Sequence, residues 1–364
     1  MNDQPPLQSL RERIDSLDQQ IQDLLNERAR CAQLVAQAKI EQGERTDFYR
    51  PEREAEVLRR VRERNQGPLG DAEITRLFRE IMSACLALEK PLLIGYLGPE
   101  GTFTHAAVLK HFGHSVQTQA QPAIDVVFRE VEAGDCDYGV VPIENSTDGR
   151  IVDTLGMFTR LPTRICGEVQ LRIHHYLLGR CERADVKEIY SKPQALSQCR
   201  DWLAKHMPLA RLVEMTSTAA AAQLAAEKPG AAAIASLQAA TNYGLNAIAE
   251  KIEDNKNNIT RFAVIGDHDG RRTGQDKTAL MFEIAHVPGS LADTMAIFKR
   301  NRLNLTWIES FPMPNTEKEY LFFVELEGHH EDTKIKRAME ALRRKTKRLE
   351  ILGAYHRSEP VESP

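Results

Sequence analysis

LLIGYLG, residues 92–98, is the first stretch of the chain that is typical of a buried strand, and a helix-like run follows it from Thr104. The same succession recurs further along, with strands predicted at YGVVPIEN (138–145), EIYS (188–191), LVEM (212–215) and AAAIAS (231–236). A helix over about 194–206 is predicted to follow EIYS. Strands that alternate with helices indicate an α/β fold with a parallel or mixed sheet. About 175 residues of this pattern allow two lobes with a cleft between them.

The chain ahead of that stretch is predicted to be all-helical. Apolar residues recur at steps of three and four from Leu7 onward, and no Gly or Pro lies between Leu7 and Gly43. A helix over about 7–40 would be roughly 50 Å long, which exceeds the width of a domain of about 90 residues. Its apolar stripe is therefore expected to find part of its cover on a second chain. Two more helices are predicted, from Pro51 to about 64 and over about 71–89.

Residues 277–357 show the order β-α-β-β-α-β, which is typical of a ferredoxin-like unit. The predicted strands are TALMFEIA, LTWIESF, YLFFVEL and LEILGAY, and a Pro/Asn loop over 312–319 separates the middle two. The predicted helices are SLADTMAIFKRN and residues 331–345. Because no catalytic cluster is found in this segment, it is expected to sense a ligand.

Charge and cysteine content exclude several classes of protein. The net charge of −4 gives no basic balance that would indicate nucleic acid as a partner. The six cysteines lie far apart without a C-x-x-C pair, which argues against a zinc site or redox dithiol and predicts reduced thiols in a cytosol. MNDQPP lacks the regions of a signal peptide, and no apolar run approaches the roughly 18 residues that span a membrane. We expect a cytoplasmic protein without a membrane partner.

Polar clusters follow several of the predicted strands, at residues 98–105, 144–147, 191–194 and 216–218. Any one Ser or Thr there can be a plain helix N-cap. Four helix N-termini at one cleft would also offer free N–H groups and positive dipole ends to an anion. Since the sequence has neither a metal-ligand cluster nor GxGxxG, a small organic anion is predicted as the ligand and no cofactor is expected.

The motifs GPEGTFTHAA, VVPIENSTDG, SKPQALSQC, TSTAAA and NNITRF, in this order, resemble those of prephenate dehydratase. Residues 277–357 resemble an ACT domain, a ligand-sensing fold, and residues 1–90 resemble the all-helical chorismate mutases. The whole chain is similar to the bifunctional chorismate mutase/prephenate dehydratase family of phenylalanine biosynthesis. The resemblance implies an all-α dimerising domain over 1–91, a two-lobed, periplasmic-binding-protein-like α/β domain over 92–268 and an α+β ferredoxin-like ACT domain over 277–357.

The resemblance implies a catalytic role for Thr260 in NNITRF (257–262), a stretch interpreted as a polar loop ahead of the strand AVIG (263–266). Prephenate must lose CO2 and its ring hydroxyl together. The Thr260 hydroxyl is expected to donate a hydrogen bond to the leaving oxygen that strengthens as charge develops. Arg261 is expected to hold a substrate carboxylate or face solvent. The other substrate-binding candidates are Thr102, Glu144, Asn145, Ser146, Thr216 and Ser217.

Four aromatic or imidazole groups have less specific expectations. Phe262 is expected to pack in the interior. His105 is either an acid–base group or part of the packing of its helix. His174 and His175 are expected to lie in a strand and to be structural.

The mutase reaction needs no nucleophile, because chorismate rearranges through a pericyclic transition state. The enzyme must hold a dianion in a compact conformer and stabilise charge on the breaking ether oxygen, which calls for Arg and Lys. The resemblance assigns these roles to Arg11, Arg28 and Lys39. Arg28 and Lys39 lie about 20° apart around a helix. Arg11 points about 100° away from Arg28, and the resemblance implies that it enters the site of a partner chain.

Four further mutase positions carry over from the family. Glu54 matches a partner of a substrate hydroxyl, Arg50 stands where some members have Asp, and Cys85 stands where some have Ser. Glu89 stands where some members have a Gln that donates to the ether oxygen. An ionised Glu cannot donate, so mutase activity is predicted to require protonated Glu89. A dianionic neighbour should raise its pKa and Lys39 should lower it.

The effector implied by the resemblance is L-phenylalanine, bound at an interface between ACT units. The matching allosteric positions are Gly289, Ser290, Leu291, Ala292, Glu309 and Ser310. Phe311 stands where the family usually has Arg, so the strength of feedback is left open.

Two other interpretations remain at this point. A non-catalytic amino-acid sensor would explain a cleft without strong acid–base pairs, but it leaves Arg28 and Lys39 on one helix face unexplained. The other is a chain with one active site, with loss of the mutase as its more favoured form because of the departures at Arg50, Cys85 and Glu89.

Overall fold

The structure, a computed structural model, describes residues 6–41, 49–147, 149–312 and 320–363. The chain divides into two compact units, of which one comprises Met1–Leu92 and Phe112–Gln117 and the other Leu93–His111 and Thr118–Pro364. Each unit has its own internal packing. In the ranges described, none of the helices combines the length and the apolar character that crossing a membrane requires.

The first unit confirms the three predicted helices, at α1 (Leu7–Glu41), α2 (Pro51–Arg64) and α3 (Asp71–Glu89). Pro51 begins α2, where its missing N–H leaves no bond unmade. Both α1 and α2 pack on α3. Along the described length of α1, Ala36 is the only buried residue, whereas the large apolar side chains between Leu7 and Ile40 are 37–65% exposed. An apolar stripe of this length is thus left uncovered within one chain.

Strands and helices alternate beyond α3. The strands are β1 (Leu93–Leu97), β2 (Gln117–Gln121), β3 (Tyr138–Asn145), β4 (Gly149–Arg150), β5 (Arg164–Arg172), β6 (Tyr176–Gly179), β7 (Glu188–Ser191), β8 (Arg211–Glu214), β9 (Ala231–Ala235), β10 (Asn246–Ala249), β11 (Ile259–Gly266), β12 (Asp276–Ile284), β13 (Leu305–Pro312), β14 (Tyr320–Glu327), β15 (Arg348–His356) and β16 (Val361–Glu362). The helices are α4 (Phe103–Phe112), α5 (Ile124–Ala133), α6 (Val152–Phe158), α7 (Pro193–Gln198), α8 (Arg200–His206), α9 (Thr218–Glu227), α10 (Leu237–Tyr243), α11 (Ser290–Arg300) and α12 (Thr333–Arg343).

Two mixed sheets form the α/β region and confirm the two predicted lobes. The first has the strand order β16-β5-β11-β3-β1-β2, with β4 beside β3, and the second has the order β10-β6-β9-β7-β8. In the first sheet β1 and β3 are parallel, while β11 runs antiparallel to both of its neighbours. The chain crosses between the sheets over residues 173–175 and 250–258. The N–H of Ile173 donates to the carbonyl of Asn258 at 2.8 Å, which ties the two crossings together.

The third sheet, β13-β14-β12-β15, confirms the predicted β-α-β-β-α-β order. One face packs under α11 and α12 in a core that includes Phe282 and Phe298. The other face packs against the first sheet, where Phe311 and Phe323 join Phe158 in one apolar cluster. The third sheet is therefore continuous in packing with the first lobe. Residues 313–319 of the predicted Pro/Asn loop lie outside the described residues.

The structure corrects three local predictions. Thr260, Arg261 and Phe262 lie within β11 rather than in a loop, because this central strand is hydrogen-bonded on both sides from Ile259 onward. His174 and His175 lie between β5 and β6 and not in a strand. The single helix expected over about 194–206 is two helices that meet at Cys199.

Candidate active sites

Thr260 lies opposite Asn145 on the neighbouring strand, since the register of β11 and β3 pairs these two residues. The Asn145 Nδ2 donates to the Thr260 Oγ1 at 2.7 Å. The orientation of the amide is fixed independently, because the backbone N–H of Thr147 can only donate and it donates to the Asn145 Oδ1 at 2.9 Å. Thr260 is thus the acceptor in this pair, and its own hydroxyl hydrogen is left for another acceptor.

Further hydrogen bonds hold the turn after β3 against the chain that leads into β11. The Oγ of Ser146 accepts from the N–H of Ile259 at 2.9 Å, and the N–H of Ser146 donates to the carbonyl of Ile259 at 2.9 Å. The Thr147 hydroxyl donates to the Asn258 Oδ1 at 3.2 Å. The structure therefore brings Asn145 and Ser146 together with Thr260, as three of the predicted site residues.

Arg261 points into a cluster of carboxylates that belong to the protein. Its Nη1 donates to the Glu144 Oε2 at 2.8 Å. Its Nη2 donates to both oxygens of Glu325, at 2.5 and 2.6 Å, and to the Glu168 Oε2 at 3.2 Å. Burial by itself would lower the pKa of Arg261, but Glu325 and Glu168 raise it above its ordinary value. The side chain is 13% exposed, so the solvent-facing alternative is not what the structure shows.

The same cluster joins the third sheet to the first. Lys277 on β12 lies 3.0 Å from Glu168 and 3.5 Å from Glu325, and the Tyr355 hydroxyl donates to Glu325 at 2.8 Å. Burial favours the neutral form of Glu325, but Arg261 and Lys277 lower its pKa below its ordinary value. Sequence reasoning did not single out Glu168, Lys277 or Glu325. The signal was present only in part, as charged residues among apolar neighbours in β5, β12 and β14.

The remaining dehydratase candidates lie at other strand ends. Thr102 accepts from the N–H of His105 at 3.3 Å, and Ser217 accepts from the N–H of Ala220 at 3.0 Å, so both hydroxyls act as helix caps. In the described part of the chain, no hydrogen bond joins either of them to Thr260. Thr216 is exposed. His105 is buried and stacked on Tyr96, with ring centroids 5.0 Å apart, which matches the packing alternative.

The helical unit places charged groups near Glu89. Burial raises the pKa of Glu89, while Lys39 and Arg28 lie close enough to oppose that rise. Arg28 and Lys39 are half-buried, whereas Arg11 is exposed on α1. The structure thus brings together three of the five residues predicted to be catalytic.

Glu54 is the second carboxyl group with a raised pKa in this unit. Burial raises the pKa of Glu54 to about 7, although Arg79 lies 3.3 Å away and lowers it. Sequence reasoning did not identify Arg79. Arg50 lies 3.5 Å from Glu52 at the start of α2, and Cys85 is buried.

The predicted effector positions lie around the start of α11 and along β13. Gly289 precedes α11 with φ +88°, a conformation that favours glycine, and Leu291 is 39% exposed. Glu309 pairs with Arg150 of β4 at 2.7 Å. Phe311, at the position usually held by Arg, is buried against Phe323 with the rings edge to face. The other predicted positions are Ser290, Ala292 and Ser310.

Comparison with known proteins matches both regions. Residues 94–270 match the prephenate dehydratase family, and residues 10–90 match chorismate mutase type II. The bifunctional chorismate mutase/prephenate dehydratases of Stutzerimonas stutzeri and Pseudomonas aeruginosa are 49% and 48% identical, each over 98% of this chain and 99% of the relative. A crystal structure of the Arthrobacter aurescens prephenate dehydratase in complex with L-Phe is similar at TM-score 0.68 and 31% identity, over 75% of this chain and 93% of that chain.

The helical unit clusters Arg, Lys and Glu side chains, the two-lobed unit pairs an Asn with a Thr, and the regions that hold them match two enzyme families, so the chain is of the two-activity class of enzymes. The chain belongs to the family of bifunctional chorismate mutase/prephenate dehydratases. It is a chorismate mutase and a prephenate dehydratase of aromatic amino acid biosynthesis. This membership argues against the non-catalytic sensor and against a chain with one active site.

Proposed function

We propose that prephenate binds beside β3 and β11 and that Thr260 donates a hydrogen bond from its hydroxyl to the departing ring oxygen. The bond between the ring and its carboxylate breaks, its electron pair enters the ring, and the C–O bond breaks to release CO2 and hydroxide, which takes a proton from solvent to become water. The observation that carries this proposal is the direction of the hydrogen bond from Asn145 to Thr260. A donor placed where negative charge develops lowers the barrier without becoming fully deprotonated.

The experiment compares Thr260→Ala with Thr260→Ser by following phenylpyruvate formation from prephenate. Removing one such donor costs on the order of a hundredfold in kcat, so the Ala variant should lose that much, while the Ser variant should keep a substantial part of the rate. Equal and near-normal rates in both variants would refute the role of the hydroxyl. Circular dichroism shows whether each variant is folded.

The other site residues take supporting parts in this proposal. Asn145 and Ser146 contact the substrate beside Thr260, and Glu144 orients Arg261. Arg261 fixes β11, since protein carboxylates already surround its guanidinium. Thr102, Thr216 and Ser217 contribute the helix ends that face the anion.

In the mutase unit, Arg28, Lys39 and Glu89 hold chorismate, together with Glu54, Arg50 and Cys85. Arg11 is supplied by a second copy of the chain. The exposed apolar stripe of α1 supports a homodimer, because large side chains that are 37–65% exposed need cover. The domains of this enzyme are then the mutase over 1–91, the dehydratase over 92–268 and an ACT domain over 277–357.

L-Phenylalanine is the proposed feedback effector, bound at residues 289–292 and 309–310. The L-Phe complex of the Arthrobacter aurescens relative supports this assignment, as does the β-α-β-β-α-β order of the third sheet. Phenylalanine should bind the purified chain in calorimetry and lower the dehydratase rate. An enzyme that neither binds nor responds to it would contradict the assignment.

A further inference from the structure

Two chain segments cross between the lobes, and together they are called the hinge here. The second of them leads directly into β11, the strand of Thr260. Residues 173–175 pass from the first sheet to the second, and residues 250–258 return and end next to β11. Thr260 is the second residue of β11, so a single residue, Ile259, separates it from the returning crossing. The crossing is therefore joined to Thr260 by a short length of backbone.

A buried carboxylate joins the two crossings. The His174 Nδ1 and the Glu253 Oε1 lie 2.7 Å apart, and the N–H of His175 donates to the Glu253 Oε2 at 2.9 Å. The Glu253 side chain is 1% exposed and that of His174 is 8% exposed. Each crossing thus contributes one side of a small buried ionic cluster.

The C-terminal segment returns from the third sheet to this hinge. Its strand β16 pairs in parallel with β5 and brings Glu362 opposite Arg172. The N–H of Ser363 donates to the carbonyl of Arg172 at 3.2 Å, and the Ser363 Oγ accepts from the N–H of His174 at 3.4 Å. The Glu362 Oε2 lies 2.6 Å from the His174 Nε2. A segment beyond the last strand of the third sheet therefore adds Glu362, whose side chain is 61% exposed, on the solvent side of His174.

Both ring nitrogens of His174 face a carboxylate oxygen. An ionised carboxylate can only accept, so each ring nitrogen is placed to donate when it carries a proton. The hydrogen bond from His174 lowers the pKa of Glu362 below its ordinary value. Arg172 and Lys251 lie 3.6 and 4.0 Å from the same carboxylate and add to this effect.

We propose that Glu362 and His174 are positioning residues of the dehydratase reaction. The C-terminal segment, residues 357–363, fastens the hinge through Glu362, His174 and Glu253, and thereby holds the returning crossing and Thr260 in register with the substrate. The Ser358 N–H also donates to Glu168 at 2.9 Å, so the same segment is anchored at the cluster around Arg261. The proposal rests on the dehydratase activity of the chain and adds residues outside its substrate-binding motifs.

The experiment measures kcat and KM for prephenate in Glu362→Gln, in His174→Gln, in Glu362→Asp and in a chain that lacks residues 360–364. Misplacement of a catalytic group reduces turnover, so Glu362→Gln should lower kcat on the order of tenfold, with KM within about twofold. Glu362→Asp should recover part of the loss, and the deletion should lose at least as much as Glu362→Gln. The deletion leaves the contact between Ser358 and Glu168 in place.

Three further measurements test whether a loss of dehydratase turnover is specific to the contact between Glu362 and His174. Glu340→Gln removes an exposed carboxylate of α12 and should leave kcat unchanged. The chorismate mutase rate of every variant should equal that of the wild type, and circular dichroism with a melting curve confirms that Glu362→Gln is folded. Because the two residues act as one unit, Glu362→Gln combined with His174→Gln should cost no more than the worse single change.

Wild-type kcat and KM in both Glu362→Gln and the deletion would overturn the proposal. Losses that add in the double variant would also overturn it, since they would show that Glu362 and His174 act independently. If the wild-type chain formed no phenylpyruvate, the dehydratase assignment itself would be wrong. This outcome differs from the two above, in which the wild type is active and only the role of Glu362 and His174 is refuted.

Discussion

A single backbone donor determines the proton arrangement at Thr260. The N–H of Thr147 fixes the Asn145 amide, and the amide in turn makes Thr260 an acceptor on that side. A threonine hydroxyl is a weak acid, so the proposed role of Thr260 is a well-aimed hydrogen bond rather than proton release. Asn145 can orient the Thr260 hydroxyl because the strand register places the two residues opposite each other.

Asn145→Asp tests this arrangement at the scale of one residue. An Asp keeps the bond from the Thr147 N–H, but its second oxygen accepts from Thr260 and diverts the catalytic hydrogen. We expect a loss on the order of a hundredfold in kcat, greater than the loss in Asn145→Ala. Asn257→Asp adds the same charge on an exposed residue of the neighbouring loop and serves as control. An Asp variant faster than the Ala variant would contradict the assigned direction.

Glu89 allows a prediction about pH, because burial raises its pKa and only the protonated acid can donate to the ether oxygen. The mutase rate should fall as pH rises through that pKa, and Glu89→Gln should flatten the profile since an amide donates at every pH. Rates from pH 4 to 9 test this. Burial raises the pKa of Glu54 to about 7. A change of the mutase rate with pH that disappears in Glu54→Gln therefore belongs to Glu54 and not to Glu89. An unchanged profile in Glu89→Gln would rule the mechanism out.

At the scale of secondary-structure elements, charged side chains join three strands of the first sheet to two strands of the third. Arg261 of β11 contacts partners that lie 64, 93 and 117 residues away in sequence. A cluster of buried charges is costly to form, yet once formed it strongly penalises the loss of any member. The bond from Tyr355 to Glu325 adds a fourth contact to the most buried carboxylate.

Glu325→Ala should destabilise the second unit by about 3–5 kcal/mol, because it leaves Arg261 and Lys277 with one fewer buried carboxylate. Glu327 lies on the same strand as Glu325 and forms an exposed ion pair with Arg357. Glu327→Ala breaks this pair and should cost about 0–1 kcal/mol. Urea unfolding followed by circular dichroism measures both. The pKa of Glu325 is lowered in the folded state, so its stabilisation is present above the unfolded pKa and is lost as pH falls through the folded pKa. Equal losses in the two variants would refute the role of the cluster.

The sequence predicts well whatever its local pattern specifies. YGVVPIEN is a strand with the predicted bounds, since its apolar run and polar end are local signals. The three helices of the first unit follow from their apolar periodicity in the same way. The strand of Thr260 is not predictable at its polar end, because Thr260 and Arg261 are ordered by partners on β3 and β5 rather than by their neighbours. The surroundings of Arg261 require contacts across three segments, which a single sequence does not reveal.

At the scale of the whole molecule, we propose that the two activities depend on different assemblies. The proposed dehydratase site uses strands of one chain, since Thr260 pairs with Asn145. The proposed mutase site gathers Arg28, Lys39 and Glu89 but leaves Arg11 exposed, on the helix that carries the uncovered apolar stripe. A two-fold symmetric pair of α1 helices would cover the stripe and exchange Arg11 between sites.

Subunit complementation tests that exchange. Arg11→Ala and Arg28→Ala chains should each lack most of the mutase rate, because every site in either homodimer misses one cation. A mixed dimer has one site with both arginines intact. Random mixing should therefore restore about a quarter of the wild-type rate, since half of the dimers are mixed and each holds one complete site. The chains are co-refolded in equal amounts and assayed with chorismate, with prephenate turnover as the control that should stay constant. A mixture no faster than its components would place Arg11 outside the partner's site, and the exposed stripe of α1 would then need a different occupant.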